Sequence, residues 1–236
     1  MAPGALIDVH SLVFRWPSAS MPCLAVDSLR IEAGERIFLF GPSGSGKSTL
    51  LALLAGVLTP QEGKIRVLGT ELSSLRGRDR FRVDHIGFIF QQFNLVPYLS
   101  VIQNVLLPCR FSATRAQRAS AAHGTPVDAA RHLLDAMGLS ADLRKRKATD
   151  LSAGQQQRVA AARALIGSPE LIIADEPTSA LDADARQAFL GLLRQQCDRW
   201  ASTLLFVSHD RQLAANFDRD VNLPAINRVV PEGSAA

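Results

Sequence analysis

A glycine-rich loop between an apolar run and a helical pattern constrains the fold of this chain more than any other feature. The run Ile37–Phe40 is strand-like, glycine recurs three times in residues 41–46, and helix-forming residues follow Lys47. A strand that turns through glycines into a helix is a building unit of α/β proteins. We therefore predict an α/β fold with a mostly parallel sheet.

The loop also has the composition of a phosphate site. The pattern G-x-x-x-x-G-K-[ST], the P-loop of nucleotide-binding proteins, is matched by Gly41, Pro42, Ser43, Gly44, Ser45, Gly46, Lys47, Ser48 and Thr49. Its glycines let backbone N–H groups face phosphate oxygens, and the following helix presents its positive dipole end. We expect Lys47 to reach the β- and γ-phosphates, Ser48 to ligate Mg²⁺ and Thr49 to contact the α-phosphate.

An acidic pair follows a second apolar run. Leu171–Ala174 is apolar throughout, as in a buried parallel strand, and Asp175 and Glu176 come directly after it. Ligands of open α/β sheets gather at the carboxyl ends of the strands. We therefore expect Asp175 beside Mg²⁺ and Glu176 near the γ-phosphate, where its carboxylate polarises the attacking water.

Composition fits one globular domain. The chain has 236 residues, of which 47% are hydrophobic and 20% charged, and the net charge of +4 is typical of an ordinary solvated surface. Its three cysteines are far apart and show no metal-binding spacing. No signal peptide is visible, and no run approaches the ~18 apolar residues of a membrane span. We expect any role across a membrane to require another chain.

Apolar runs alternate with helical patterns along the rest of the chain. Strands are predicted at Val26–Ile31, Arg36–Phe40, Lys64–Leu68, Ile86–Phe90 and Leu204–Val207, with weaker ones at Val221–Leu223 and Ile226–Val230. Helices are predicted at Ser48–Val57, at Val127–Met137 and at Ala185–Gln196, the last with one face formed by Ala188, Phe189, Leu192 and Leu193. Residues 92–150 have few strand signals and predict a helical lobe, in which Ser112–Pro126 forms a helix and an exposed loop; the tail Pro231–Ala236 is expected to fray.

A third segment, Leu151–Leu165, begins with a helix-start signal. Ser152 and Gln155 have capping-box spacing, and a second helix N-terminus with a serine hydroxyl is a second anion site. The segment resembles the L-S-G-G-Q signature of ABC ATPases. The resemblance, which extends from about Ile7 to Val230, implies that Ser152, Gly154 and Gln155 of one subunit contact the nucleotide held by the P-loop of another. Ala153 departs from the usual glycine, and its methyl group could crowd the phosphate or the opposing loop.

The resemblance implies roles for further residues. Gln91, with Gln92 adjacent, resembles the Q-loop glutamine that senses Mg²⁺ and the partner. Residues 179–182 resemble the D-loop, which crosses the dimer interface, and His209 resembles the switch histidine that contacts the γ-phosphate. Trp16 resembles the aromatic residue that stacks on adenine, with Phe14 as the rival candidate.

The resemblance also implies an organisation and partners. It implies one ABC ATPase domain over residues 5–230, with an N-terminal antiparallel β subdomain, a core of about 5–91 and 168–230 and an inserted helical lobe of about 92–167. ATP and Mg²⁺ are the implied cofactors. The implied partners are a second ATPase subunit, as a homodimer, and an integral membrane permease. The implied location of the chain is the cytoplasmic face of the inner membrane, as a peripheral subunit. No nucleic acid is expected, because the chain has one P-loop and one signature and no room for a long coiled coil.

Two transporter branches stay open. Residues 91–97 and 101–108 resemble the lipoprotein-releasing and macrolide-export branch, which we favour, whereas Pro177–Asp182 also resembles amino-acid importers. A non-transport ABC ATPase acting on nucleic acid is the third alternative. We expect the membrane partner to contact an apolar cluster, part of which can be lobe core, formed by Phe93, Leu95, Val96, Pro97, Tyr98 and Leu99.

Overall fold

The computed structural model describes residues 4–229, and these divide into two units. Unit 1 contains residues 4–82 and 205–229, and unit 2 contains residues 83–204. Among the residues described, no helix is long and apolar enough to cross a membrane.

The elements of residues 4–229 alternate between strands and helices. The strands are β1 (Ala5–Phe14), β2 (Leu24–Glu32), β3 (Arg36–Phe40), β4 (Glu62–Val67), β5 (Thr70–Glu71), β6 (Ile86–Ile89), β7 (Leu171–Asp175), β8 (Thr203–Val207) and β9 (Arg219–Asn222). The α-helices are α1 (Lys47–Leu54), α2 (Arg78–His85), α3 (Val101–Phe111), α4 (Ala113–His123), α5 (Pro126–Ala136), α6 (Ala153–Leu165), α7 (Ala183–Trp200) and α8 (Leu223–Ile226). Short 3₁₀ segments occur at Ala141–Lys145, Ala148–Asp150 and Arg211–Asn216.

Unit 1 contains an antiparallel sheet with the strand order β2-β1-β4-β5. Ile7 of β1 lies opposite Ile31 of β2 and Val67 of β4, and all three side chains are fully buried. The β1–β4 register shifts near Ser11, against which Gly63 packs so closely that a Cβ would overlap the Ser11 carbonyl oxygen. Only glycine fits at this bulge, and its φ of +83° favours glycine as well.

The parallel strands of unit 1 carry the glycine-rich loop. Here β3 pairs in parallel with β9 and has β8 on its other side. The Phe38 ring packs against Phe206 of β8 and against Phe217, with centroid distances of 6.4 and 5.4 Å. Because β3 runs directly into the loop, this aromatic core fixes the point at which the loop begins.

In unit 2, β7 lies between β6 and the first residues of β8. The β6–β7 pairing is parallel, with Ile89 opposite Ala174, and residues 171–174 are fully buried as the unbroken apolar run predicted. Gly87 of β6 packs directly on the last turn of α6, since a Cβ there would overlap the carbonyl oxygen of Ala164. The strand and the helix therefore touch through their backbones.

A buried arginine ties α4 to the C-terminal end of α6. Arg115 is 2% exposed, and its guanidinium donates to the carbonyl oxygens of Ala164 and of Ile166, the latter at 2.7 Å. The last carbonyls of a helix lack intrahelical donors, and the negative dipole end favours a cation. Burial lowers the pKa of Arg115 to about 10, so the group remains charged at neutral pH.

Glu170, just before β7, joins two further elements of unit 2. Nη2 of Arg118 donates to its Oε1 at 2.7 Å, and Nδ1 of His85 lies 3.0 Å from its Oε2. Burial raises the pKa of Glu170, but the hydrogen bonds from Arg118 and His85 outweigh burial and hold the pKa below its ordinary value.

The predicted fold class is confirmed by an antiparallel sheet, a parallel sheet and helices. The predicted strand Ile226–Val230 is wrong, because α8 continues to Ile226 and Asn227 makes only an isolated bridge to Val26. Pro224, in the first turn of α8, favours that helix start. Val230 and the tail Pro231–Ala236 lie outside the described residues.

Two further predictions in the helical part need correction. The exposed loop expected within Ser112–Pro126 is only Gly124 and Thr125, and Ser112 and Arg115 are buried because they bond to other elements of unit 2. On α7 the buried face is rotated from the predicted one. Ala188 is exposed and Leu192 half-buried, and the buried positions are Phe189, Leu190, Leu193, Gln196 and Cys197.

Candidate functional site

The glycine-rich loop of unit 1 joins β3 to α1, as the sequence predicts. Gly44 and Gly46 have left-handed φ angles of 80° and 96°, and Gly46 is the N-cap residue of α1. No side chain caps this helix start. The first turn thus has no side-chain cap, and the helix dipole favours an anion at this place.

Lys47 folds back over this loop. Its Nζ donates to the carbonyl oxygens of Gly41 and Pro42 at 2.8 and 2.9 Å. Gly41 cannot carry a side chain without a shift of its neighbours, since a Cβ would lie 2.8 Å from Ser45 Oγ and 2.9 Å from the Pro224 ring. The loop is thus tightly packed on one side and has an ammonium group held against its carbonyls.

His209 lies at the same edge of the parallel strands as the loop. The N–H of Ser208, its neighbour, donates to the carbonyl oxygen of Leu39 at 3.3 Å, and Leu39 stands two residues before Gly41. The side chain of His209 is exposed at this edge. Unit 1 therefore brings the P-loop and the predicted switch histidine together.

Two aromatic residues competed for the adenine contact. Phe14 is 4% exposed and belongs to the core, whereas Trp16 is 44% exposed. Their rings meet edge-on with centroids 5.2 Å apart. The Trp16 ring is therefore the one accessible to a ligand, and the buried Phe14 ring supports it through their edge-on contact.

In unit 2, Asp175 and Glu176 stand half-buried at the C-terminal end of β7. Glu176 has a left-handed φ of 45° although Pro177 follows it, a combination that the proline ring disfavours. Backbone strain of this kind costs ~1–3 kcal/mol and persists only where the surrounding structure holds it. The backbone conformation at Glu176 is therefore held by the surrounding structure.

Gln91 leaves β6 at the same sheet edge as this acidic pair, because Ile89 and Ala174 are parallel partners. Gln91 and Gln92 are both exposed. The next residues, Phe93 and Asn94, both have left-handed φ angles, of 57° and 47°. The loop after Gln91 is thus sharply turned.

The apolar cluster 93–99 divides into a buried and an exposed part. Phe93 is 9% exposed, whereas Tyr98 is 75% exposed. Fully buried Asn104 holds the turn between them: its Oδ1 accepts from the N–H of Val96 at 2.8 Å, and its Nδ2 donates to the carbonyl oxygens of Val96 and Leu99. Tyr98 rather than Phe93 is therefore available to a partner.

The signature segment starts a helix, and its predicted capping box is confirmed. Ser152 Oγ accepts from the N–H of Gln155 at 3.3 Å, and Gln155 Oε1 accepts from the N–H of Ser152 at 3.0 Å. Ser152 and Ala153 are exposed, and Gly154 lies beside Leu181, whose Cδ2 would be 3.7 Å from an added Cβ. The start of α6 is a helix N-terminus that faces solvent.

The fold and the loop define a P-loop protein that binds the phosphates of a nucleotide. The model of the ABC transporter family matches residues 24–179, and the chain belongs to this family. It carries the ATP-binding, ATP-hydrolysing domain of that family.

Individual relatives agree with this assignment. The chain is 43% identical to the lipoprotein-releasing system ATP-binding protein LolD of Anaeromyxobacter dehalogenans, over 90% of this chain and 86% of the relative. It is 39% identical to the macrolide export ATP-binding/permease protein MacB of Rhodopirellula baltica, over 89% of this chain but 30% of that protein. The chain thus spans about a third of the length of the export relatives of this kind.

A solved structure shares the fold. The dimeric ATP-binding cassette MJ0796, in a post-hydrolysis state bound to ADP and Pi, matches with a TM-score of 0.78 at 32% identity. The match covers 92% of this chain and 93% of the cassette.

Proposed function

We propose that the chain is the ATPase subunit of a transporter and works as a dimer that powers a separate membrane subunit in envelope export or lipoprotein release. The observation that carries the proposal is the similarity to LolD, a lipoprotein-releasing system ATP-binding protein of which the chain covers 86%. The relatives named for macrolide and syringafactin export support the same branch.

In this proposal the loop of unit 1 holds the phosphates of ATP. The N–H groups at the start of α1 bind phosphate oxygens, and Lys47 exchanges its two carbonyl partners for the β- and γ-phosphates. This exchange is favourable because the phosphate oxygens are anionic, whereas the two carbonyl oxygens are neutral, so the ammonium gains an attraction between opposite charges. Trp16 stacks its exposed ring on adenine.

Three residues would hold Mg²⁺. Ser48, Asp175 and Gln91 supply a hydroxyl, a carboxylate and an amide oxygen, and such hard oxygen donors fit a cation that keeps its other positions for phosphates and water. When bound, Mg²⁺ neutralises charge on the β- and γ-phosphate oxygens.

Glu176 is the general base in this proposal. Its half-buried carboxylate takes the proton from the water that attacks the γ-phosphate. His209 contacts the γ-phosphate from the sheet edge of unit 1 and stabilises the charge that develops there.

A second copy of the chain would complete the site. The exposed start of α6 offers free N–H groups and a positive dipole end to an anion. Ser152 Oγ accepts a bond from Gln155, so its own proton remains to be donated to a phosphate oxygen. Ser152, Gly154 and Gln155 of one copy would therefore bind the nucleotide held by the other, and the dimeric cassette with ADP and Pi supports this pairing.

The membrane subunit would bind at the exposed Tyr98, at the cytoplasmic face of the inner membrane. An isolated bridge pairs Ser100, two residues after Tyr98, with Lys147 at the end of the basic stretch 144–147. The side chains of Lys145 and Lys147 have no partner within residues 4–229. This contact lies in the proposed lobe of about 92–167, and the remaining residues of 5–230 form the proposed core. Nucleic acid is not expected as a partner.

Replacing Glu176 with glutamine tests the proposal. Glu176→Gln keeps the shape but cannot accept a proton, so we expect ATP binding to persist while turnover falls by a factor of ~10²–10⁴. The variant should then accumulate as an ATP-bound dimer, measured by size exclusion with light scattering. Glu170→Gln is the matched control, because this acid stands at the opposite end of β7.

Two outcomes would contradict the proposal in different ways. Turnover close to wild type in Glu176→Gln would remove Glu176 as the base. Monomers in the presence of saturating ATP would contradict the two-copy site. Purification of the chain from its native membrane would identify the membrane subunit, and co-purification of nucleic acid alone would contradict transport.

A further inference from the structure

Arg163 of α6 contacts the loop that follows Gln91. Its Nη2 donates to the carbonyl oxygen of Phe93 at 2.6 Å, and its Nη1 donates to the carbonyl oxygen of Asn94 at 2.7 Å. Both distances are short, as in charge-assisted hydrogen bonds. One planar guanidinium therefore fixes two consecutive peptide groups.

The loop needs this support because its backbone is strained. A left-handed φ is unfavourable for a bulky side chain such as Phe93, whereas Asn94, which follows with a left-handed φ of its own, is of a type that tolerates this conformation. Local hydrogen bonds run from Phe93 N to the Phe90 carbonyl and from Asn94 N to the Gln92 carbonyl. The carbonyl side of the turn is held from α6, by Arg163.

The same helix begins at the signature serine. Arg163 stands eleven residues after Ser152, which is roughly 16 Å along the helix axis. Near Arg163, the last turn of α6 is held by Arg115 and packs against Gly87. Burial lowers the pKa of the Arg163 guanidinium, and its hydrogen bond to the Phe93 carbonyl is partly buried, whereas the one to the Asn94 carbonyl is exposed.

We infer that Arg163 is a positioning residue that couples the placement of Gln91 to the placement of Ser152. The inference rests on the proposed function, in which Gln91 contacts the metal and Ser152 contacts the nucleotide of the other copy. A movement of the loop after Gln91 shifts two carbonyls, and the guanidinium passes that shift to α6. The coupling is reciprocal, so engagement of Ser152 by a phosphate also restrains Gln91.

The first test compares two arginines of one helix. Arg163→Met removes the link to the loop, whereas Arg158→Met removes a guanidinium–carbonyl bond of 3.2 Å from the same helix to Met137. We expect kcat to fall at least ten-fold in Arg163→Met and to stay within two-fold in Arg158→Met. The Kd for ATP, set by the loop of unit 1, should stay within two-fold in both variants.

Arg163→Lys provides a conservative variant. A lysine retains the charge but lacks the planar guanidinium, in which two separate nitrogens donate to the two carbonyls, so its kcat should be intermediate. It also serves if Arg163→Met fails to fold, which thermal unfolding would report. Equal losses of kcat in Arg163→Met and Arg158→Met, with equal drops in Tm, would mean that Arg163 only supports the fold and would overturn the inference.

The second test measures the coupling itself through a double-mutant cycle. With Arg163 present, the fold-change in kcat of the double variant Gln91→Ala/Ser152→Ala should differ at least five-fold from the product of the two single fold-changes. In the Arg163→Met background the product should hold within two-fold. A deviation that survives Arg163→Met would overturn the inference even where the proposed function stands.

Failure of the proposed function would give a different experimental result. If Gln91→Ala and Ser152→Ala each leave kcat unchanged, their proposed roles are wrong and the inference falls with them. Turnover by Glu176→Gln, measured in parallel, reports on the hydrolytic site independently of Arg163.

Discussion

Replacing Gly87 with alanine would test how closely β6 packs on α6. An added Cβ would overlap the carbonyl oxygen of Ala164 and lie 2.9 Å from its carbonyl carbon and 2.7 Å from Cδ1 of Ile172. Carbon atoms in packed interiors approach to ~3.5–4.0 Å. The strand or the last turn of the helix must therefore move by roughly 1 Å.

The expected cost follows from what would have to move. The Ile172 methyl group can rotate away, but the Ala164 carbonyl is backbone and cannot. Overpacking of a core costs ~1–3 kcal/mol, and we expect the upper part of this range. Alanine also lowers the entropy of the unfolded chain, which offsets ~0.4–1 kcal/mol. The net loss of stability should be about 2 kcal/mol.

Urea unfolding of unit 2 can be followed by its own tryptophan. The chain has two tryptophans, and in a Trp16→Phe background Trp200 of unit 2 is the only one left. Gly191→Ala is the control, because Gly191 is exposed on α7 and nothing lies within 4 Å of an added Cβ. This control should gain ~0.5–1 kcal/mol, since alanine is the better helix former.

The reasoning fails if Gly87→Ala unfolds at the same urea concentration as its parent. Such a result would mean that β6 and α6 do not touch through their backbones. Because Gly87 stands four residues before Gln91, we also expect kcat to fall while ATP affinity is retained.

The remaining predictions concern five other positions. Lys47→Ala should weaken ATP binding at least ten-fold by calorimetry, because each hydrogen bond from a charged donor contributes ~1.5–3 kcal/mol; unchanged affinity and turnover would remove Lys47 from the site. Tyr98→Ser should weaken the complex with the membrane subunit and spare basal ATPase activity, whereas Phe93→Ser should lose about 3 kcal/mol of folding stability because its ring is buried; an intact complex with Tyr98→Ser would place the docking site elsewhere. Ala153→Gly should cost less than ~1 kcal/mol of stability, since glycine is the poorer helix former but this position is only the first of α6, and should strengthen the ATP-dependent dimer measured by sedimentation; an unchanged dimer affinity would show that the methyl group meets nothing there. The folded-state pKa of Glu170 lies below its ordinary value, so the carboxylate stabilises the fold above that ordinary value and the contribution is lost as pH falls through the folded-state pKa; the stability gap to Glu170→Gln in urea should therefore close in acid, and a gap independent of pH would contradict the pairing.

Local signals explain what the sequence could predict. The buried strand before Asp175 follows from an unbroken apolar run, and the start of α6 follows from the spacing of Ser152 and Gln155. Each of these signals lies within a few residues and depends on backbone chemistry that is the same in every protein. The P-loop belongs to the same class, because its glycines, its lysine and its flanking elements are adjacent in the chain.

Contacts between residues that are distant in the chain explain which features could not be predicted from the sequence. Arg115 lies in a stretch rich in alanine, serine and arginine that reads as an exposed surface, yet it is buried because its acceptors are carbonyls about fifty residues away. Asn104 and Arg163 likewise bind backbone carbonyls. Backbone acceptors look alike at every position of a sequence, so no residue pattern marks which of them an arginine or an asparagine will reach.

The C-terminal segment, wrongly predicted as a strand, contacts residues that pack against the phosphate loop. The β-branched residues of 226–230 predicted a strand. Instead, the side chain of Asn227, within this range, forms hydrogen bonds with backbone groups at the start of β2. Asn227 Oδ1 accepts from the N–H of Ala25 at 2.8 Å, and its Nδ2 donates to the carbonyl oxygen of Cys23 at 3.1 Å. The side chain of Leu24, between these two residues, lies against Gly46, where an added Cβ would come within 2.8 Å of it.

The same segment reaches the other end of the phosphate loop, because the Pro224 ring lies 2.9 Å from the position of a Cβ on Gly41. Both glycines are thus closely packed by neighbours, and Gly46 also has a left-handed φ of 96°. At Gly41 the neighbour stands more than 180 residues away in the chain. The motif is local in sequence, but the packing that demands its glycines comes from distant residues. A single sequence can therefore identify the loop from its pattern without revealing which parts of the chain hold it in shape.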